Sequence, residues 1–190
     1  DGDPILCLSG NQEWEHTGTA VYFIEGPNVI RRGSKYYMQY SGNAWNTANY
    51  GLGLATATSP AGPWTKRDDN PFLGVTSSVL GPGHGSFAVS PDGTETFVVY
   101  HSLLQSGTWN RQLNIDRIAF YDETTTAARL ALYGGPTRSP QLLPAGAVVP
   151  AVQLDDEFTA PIDRSVWEIM NEDPAAWSQS GGKLSIAGLS

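Results

Sequence analysis

Two stretches of this chain lie over one another, and that internal repeat limits the folds open to it more than any other feature. EGPNVIRRGSKYYMQYS, from Glu25 to Ser41, matches HGSFAVSPDGTETFVVYH, from His84 to His101, with one residue inserted in the turn. Each copy opens on a polar residue followed by Gly, enters a strand, turns at Gly33 or Gly93, and returns through a strand that reaches Tyr40 or Tyr100. The offset of 59 residues between Glu25 and His84 exceeds what a simple hairpin repeat needs and suits a four-stranded propeller blade with generous loops. Innermost strands of successive blades line one central channel. Glu25 and His84, far apart in sequence, are therefore expected near one another.

The rest of the chain reads as all-β. Helical periodicity is nearly absent, and short runs rich in Val, Ile, Tyr, Phe and Thr recur between clusters of Gly, Pro, Asn and Asp. Strands are expected at about Ala20–Ile24, Asn28–Arg32, Lys35–Ser41, Gly51–Thr58, Ser86–Ser90, Thr96–Ser102 and Leu113–Tyr121. Pro then recurs from Gly134 to Gln153 and strand patterns give out, as in a linker. The expected organisation is blades over residues 1–135, a linker over 136–153 and a new unit over 154–190. That last unit holds two or three strands, too few to close a core alone. One period back from Glu25 passes beyond Asp1, so about two blades and part of a third are expected here.

Charge and composition exclude several function classes. A net charge of −8 leaves no basic surface for a phosphate backbone, so no nucleic-acid partner is expected. No apolar run approaches the roughly 18 residues of a membrane helix, and DGDPILCLSG lacks the features of a signal peptide. Cys7 stands alone, so no intrachain disulfide or cysteine-based metal site can form. Six Trp and eight Tyr in so acidic a chain suit a neutral sugar, whose apolar ring faces pack on aromatic faces.

Four ordered segments resemble glycoside hydrolase family 43: WEHTGTAVYFIEGPNVIRRGSKYYMQYSG, GLGLATATSPAGPWTKRDDNPFL, GPGHGSFAVSPDGTETFVVYH and NRQLNIDRIAF. Together they cover about residues 11–135. The resemblance implies a five-bladed β-propeller enzyme acting on arabinose- and xylose-containing polysaccharides or oligosaccharides. The segment DEFTAPIDRSVWEIMNEDPAAWSQSGGKLSIAG is similar to the opening of the concanavalin-A-like β-sandwich that follows the propeller in some members, with Phe158, Trp167 and Trp177 at its aromatic positions. The fold implied is a partial five-bladed propeller followed by the beginning of a β-sandwich.

The family implies hydrolysis with inversion by a Glu acid and an Asp base, with a second Asp that tunes the acid. The leaving oxygen needs a proton at neutral pH, so one carboxyl must stay protonated while the opposite carboxylate activates water. Glu25 matches the acid, and the preceding Val21-Tyr22-Phe23-Ile24 run would favour its protonated form by desolvation. Arg111 matches an arginine that reaches the innermost sugar; Trp14, Trp45 and Tyr50 are candidate sugar contacts. His84 matches a histidine at the propeller centre that helps hold a hydrated Ca2+ or Na+ ion in many members.

No residue here matches the two aspartates, which belong to earlier blades. The expectation is a chain inefficient alone and dependent on a companion polypeptide that carries those blades. The parent is expected to be a secreted α-L-arabinofuranosidase, with a β-xylosidase as the next choice. A propeller that binds sugar without catalysis, or a structural fragment of one, is the alternative.

Overall fold

The computed structural model of the chain describes residues 3–18, 21–104, 110–121, 129–132, 135–148, 158–162, 175 and 177–186. Two four-stranded antiparallel sheets carry the repeat. The first runs β1 (Ile24–Arg32), β2 (Lys35–Gly42), β3 (Gly51–Ala57) and β4 (Thr65–Lys66) in that spatial order. The second runs β5 (Leu80–Val89), β6 (Thr96–Leu103), β7 (Arg111–Tyr121) and β8 (Arg129–Leu132). Both are meanders without a crossover, the form of a propeller blade. Residues 1–147 make one compact unit and 148–190 another. In the latter a hairpin, β9 (Trp177–Ser180) with β10 (Lys183–Ile186), is described; Trp167, expected among the sandwich aromatics, lies outside the described residues.

The two blades pack through a shared apolar core. Tyr37, Leu52 and Leu54 of the first blade meet Val98, Tyr100 and Ile118 of the second. The Tyr37 and Phe120 rings meet edge to face, with centroids 4.6 Å apart and planes at 67°. Burying each such aliphatic side chain contributes about 1.5–3 kcal/mol. At the inner strands the junction becomes polar. The Phe87 amide donates to Asn28 Oδ1 at 2.8 Å, which brings β5 beside β1.

Each inner strand breaks its ladder. The pairing of β1 shifts between Glu25 and Asn28, and that of β5 shifts on either side of Gly83. Beside these breaks Gly26 has φ 55° and His84 has φ 50°, so the structural counterpart of His84 is Gly26, one residue from the sequence superposition. Of the extended run expected at Ala20–Ile24, Ala20 lies outside the described residues; Tyr22 makes a single bridge to His16 before β1 begins at Ile24. β5 opens at Leu80 rather than Ser86: Gly81-Pro82-Gly83-His84-Gly85 has the composition of a turn, yet it forms the bulged half of a strand.

Of the Pro-rich stretch expected as a linker over 136–153, residues 136–148 are described. Its first part is tied to the second blade. The Thr137 amide and hydroxyl donate to Asp116 at 3.0 and 2.8 Å, and the Ala145 amide donates to Glu95 Oε2 at 2.7 Å. Arg117 donates to the carbonyls of Leu142 and Leu143. Proline-rich composition removes strand ladders, but side chains of the blade satisfy this backbone instead.

A buried ion pair fastens the segment ahead of β1. Glu15, with no solvent exposure, ends a short 3-10 turn (Glu13–Glu15). It accepts from the Asn11 and Gln12 amides, from the Tyr40 hydroxyl and from Lys66 Nζ. Burial alone would raise its pKa, but the hydrogen bonds from Gln12, Lys66, Asn11 and Tyr40 outweigh it and hold the carboxyl below its usual range. Its backbone carbonyl meanwhile accepts the Phe23 amide at 2.9 Å, which fixes the approach to Glu25.

Two outcomes are expected for the intact protein. Lys66→Met, which leaves a buried carboxylate without its counter-ion, costs about 3 kcal/mol in urea unfolding. In the unmodified protein, the Glu15 contribution is full above its unfolded pKa of about 4.3 and is lost as pH falls through the lower folded value. Unfolding midpoints measured from pH 7 to pH 3 check this, and Lys66→Met should flatten the profile.

Candidate active site

Glu25, Trp45, Tyr50, His84, His101 and Arg111 line one recess of about 360 Å³ between the inner ends of the two blades. The strand break places Glu25 there from β1 and His84 from β5. His84 occupies a left-handed conformation that costs a non-glycine residue roughly 1–3 kcal/mol and persists only where its surroundings impose it. Here its amide donates to Ser41 Oγ of the neighbouring blade at 2.8 Å. Its imidazole lies over Gly26, where a Cβ would come within 3.2 Å of the ring.

Around the Glu25 carboxyl the contacts are few and directed. The Tyr50 hydroxyl donates to Oε1 at 2.7 Å. Among the described residues Glu25 forms no ion pair; Arg31 instead donates to the Gly33 carbonyl and Arg32 to Thr96. Arg111 lies with its guanidinium carbon 5.1 Å from the centre of the Trp45 ring, a cation–π arrangement that holds the fork at the rim of the recess.

Three expectations change. Tyr50, read as a rim aromatic, is fully buried; its loop folds back so that its hydroxyl, not its ring face, serves the site. Trp14 is not in the recess. It packs on Tyr40 with ring centroids 5.8 Å apart, over Gly42 and Gly53, and its Nε1 donates to Gln12. The Trp-Glu pair therefore fastens the first blade. Val21, Tyr22 and Phe23 remain 56%, 40% and 42% exposed, so they do not enclose Glu25 within this chain.

His101 was not singled out by sequence, because it matches nothing in the first copy beyond Ser41. Its ring stacks on Tyr50 at 5.7 Å and 18°, and its buried Nε2 has no hydrogen-bond partner among the described residues. Burial, with the charges of Arg111 and His84, pushes its pKa down to about 4 against the opposing pull of Glu25. Its only signal in the sequence was position, at the end of the repeat.

The donor set does not make a Ca2+ or Na+ site by itself. Such ions take six or more oxygen ligands, whereas His84 presents one imidazole nitrogen. Among the described residues no group of three or more His, Cys, Asp or Glu stands close enough to hold a metal. Nor, among them, is any helix long and apolar enough to cross a membrane.

Known proteins carry the same pattern. The sequence profile of Glycosyl hydrolases family 43 matches residues 5–125. The chain is 38% identical over 106 residues to the extracellular exo-alpha-(1->5)-L-arabinofuranosidase of Streptomyces avermitilis, covering 53% of this chain and 21% of that protein. It is 32% identical over 121 residues to the beta-D-galactofuranosidase xynD of Aspergillus niger, covering 63% and 34%. A thermostable family-43 glycoside hydrolase superposes with a TM-score of 0.67 at 42% identity, covering 77% of this chain and 46% of that one. The chain thus spans a fifth to a third of the two curated relatives it matches.

The half-buried His101 imidazole gives a direct check. In carbon- and nitrogen-detected NMR of the intact protein, His101 should stay neutral from about pH 8 down to about pH 5, below the ordinary histidine range. A titration near 6.5 would mean that Tyr50 and Arg111 do not enclose it.

Proposed function

The chain belongs to family 43 of the glycosyl hydrolases, and we propose that it contributes the general acid, Glu25, to an inverting α-L-arabinofuranosidase. One observation carries this reading. Glu25 stands in a recess with one carboxyl oxygen fixed by Tyr50 and with Arg111 and Trp45 at its rim. Its other oxygen accepts no hydrogen bond among the described residues and is available to a leaving group. Arg111 holds a sugar hydroxyl or ring oxygen through its planar fork, and the Trp45 indole keeps that fork in place.

The reaction needs a proton on the glycosidic oxygen and a water activated on the opposite face of the sugar. Glu25 delivers the first. Among the lining residues no second carboxylate is present, so the base comes from outside them, about 6.5–9.5 Å from Glu25. Exposed Ile5, Leu6, Val21, Tyr22 and Phe23 suit packing against further blades, in the same polypeptide or in a companion. The likeness to an arabinofuranosidase at the higher identity, and to another furanosidase, favours an arabinofuranoside over a xyloside. The first of these is named as extracellular, which supports action outside the cell.

In the complete protein, Glu25→Ala should lower kcat on an unactivated arabino-oligosaccharide by about 10²–10⁴-fold. On p-nitrophenyl arabinofuranoside, whose leaving group needs little protonation, the loss should be far smaller. Equal losses on both substrates would contradict the acid assignment.

A further inference from the structure

The geometry points to Tyr50 as a positioning residue for the acid: a phenol locked in place by packing donates its hydroxyl proton to Glu25 Oε1. The inference rests on the reading of Glu25 as general acid and adds how that acid is aimed. Tyr50 has no solvent exposure, so it acts through Glu25 and not on sugar.

The phenol has one proton, and it donates that proton to Glu25 Oε1 at 2.7 Å. The phenol keeps it: burial raises its pKa well above the ordinary value, the nearby Ser41 hydroxyl lowers it only in part, and the Glu25 carboxyl raises it further.

Packing fixes the ring as firmly as the hydrogen bond fixes the hydroxyl. On one side Gly83 is so close that a Cβ there would lie 2.0 Å from Tyr50 Cε1; no side chain other than hydrogen fits. On another side the His101 ring stacks at 18°. The phenol therefore has one place to stand. With Oε1 committed as an acceptor, Oε2 carries the proton that is transferred to the glycosidic oxygen. As that proton leaves, the Oε1 hydrogen bond strengthens with the growing negative charge, and Tyr50 retains its own proton throughout.

Tyr50→Phe in the complete protein is the test, because it leaves the ring in its slot and removes only the hydroxyl. Expected is a fall of about tenfold in kcat on the unactivated arabino-oligosaccharide, with KM unchanged and a far smaller fall on p-nitrophenyl arabinofuranoside. Glu25→Gln, measured beside it, separates the acid role from the positioning role. If Glu25→Gln abolishes oligosaccharide turnover and Tyr50→Phe leaves it intact, or lowers both substrates alike, the positioning role is wrong and the acid stands. If Glu25→Gln itself keeps oligosaccharide turnover, the acid reading fails and the positioning role falls with it.

Discussion

The hydrogen bonds that cross between the inner strands are the interaction on which this site depends. A strand that breaks its own ladder leaves backbone amides in need of partners. β5 is an edge strand broken on either side of Gly83, and its His84 and Phe87 amides are taken up by the neighbouring blade, on Ser41 and Asn28. The same contacts seat His84 in its left-handed conformation over Gly26 and bring the two strands close enough for one recess to draw on both. Site and blade junction are thus one structure: loosening the junction would displace Glu25 and His84 together.

A second pattern recurs in both blades. Tyr40 and Tyr100 stand at equivalent places in β2 and β6, and each gives its buried hydroxyl to a carboxylate with no solvent exposure, Glu15 at 2.8 Å and Asp116 at 2.6 Å. Each carboxylate in turn holds backbone amides of a segment outside the four strands, Asn11 and Gln12 in one case and Thr137 in the other. Blades have little side-chain surface to hold a connecting segment of irregular backbone. The buried Tyr-carboxylate pair solves this by converting polar backbone into part of the core, at a site where desolvation makes loss of either partner costly.

How much of this was legible in sequence follows from the same physics. The repeat revealed the blades and their shared axis because strand alternation and turn glycines leave a local trace. It also brought Glu25 and His84 together, although the structural register differs by one residue because a bulge adds or removes a position without any compositional sign. Gly81 to Gly85 resembled a turn because the signal of a strand is carried by side chains, and here close contacts with Thr47, Tyr50 and Leu52 exclude them at Gly81, Gly83 and Gly85. Tyr50 and Trp14 were both recognisable as aromatic residues near the site, but whether a ring faces solvent depends on which blade it folds against. His101 was invisible as a site residue, since its role comes from stacking on a tyrosine 51 residues away in the chain.

The central claim is that Glu25 faces the scissile bond from this junction while its counterpart carboxylate stands on the other side. A crystal structure of the complete protein carrying Glu25→Gln, soaked with an uncleaved arabino-oligosaccharide, examines it directly. The account predicts the glycosidic oxygen within about 3 Å of the side-chain terminus at position 25, the Arg111 guanidinium on the adjoining sugar, and a carboxylate about 6.5–9.5 Å away across the ring. An oligosaccharide bound with its glycosidic oxygen beyond hydrogen-bond reach of position 25 would contradict it.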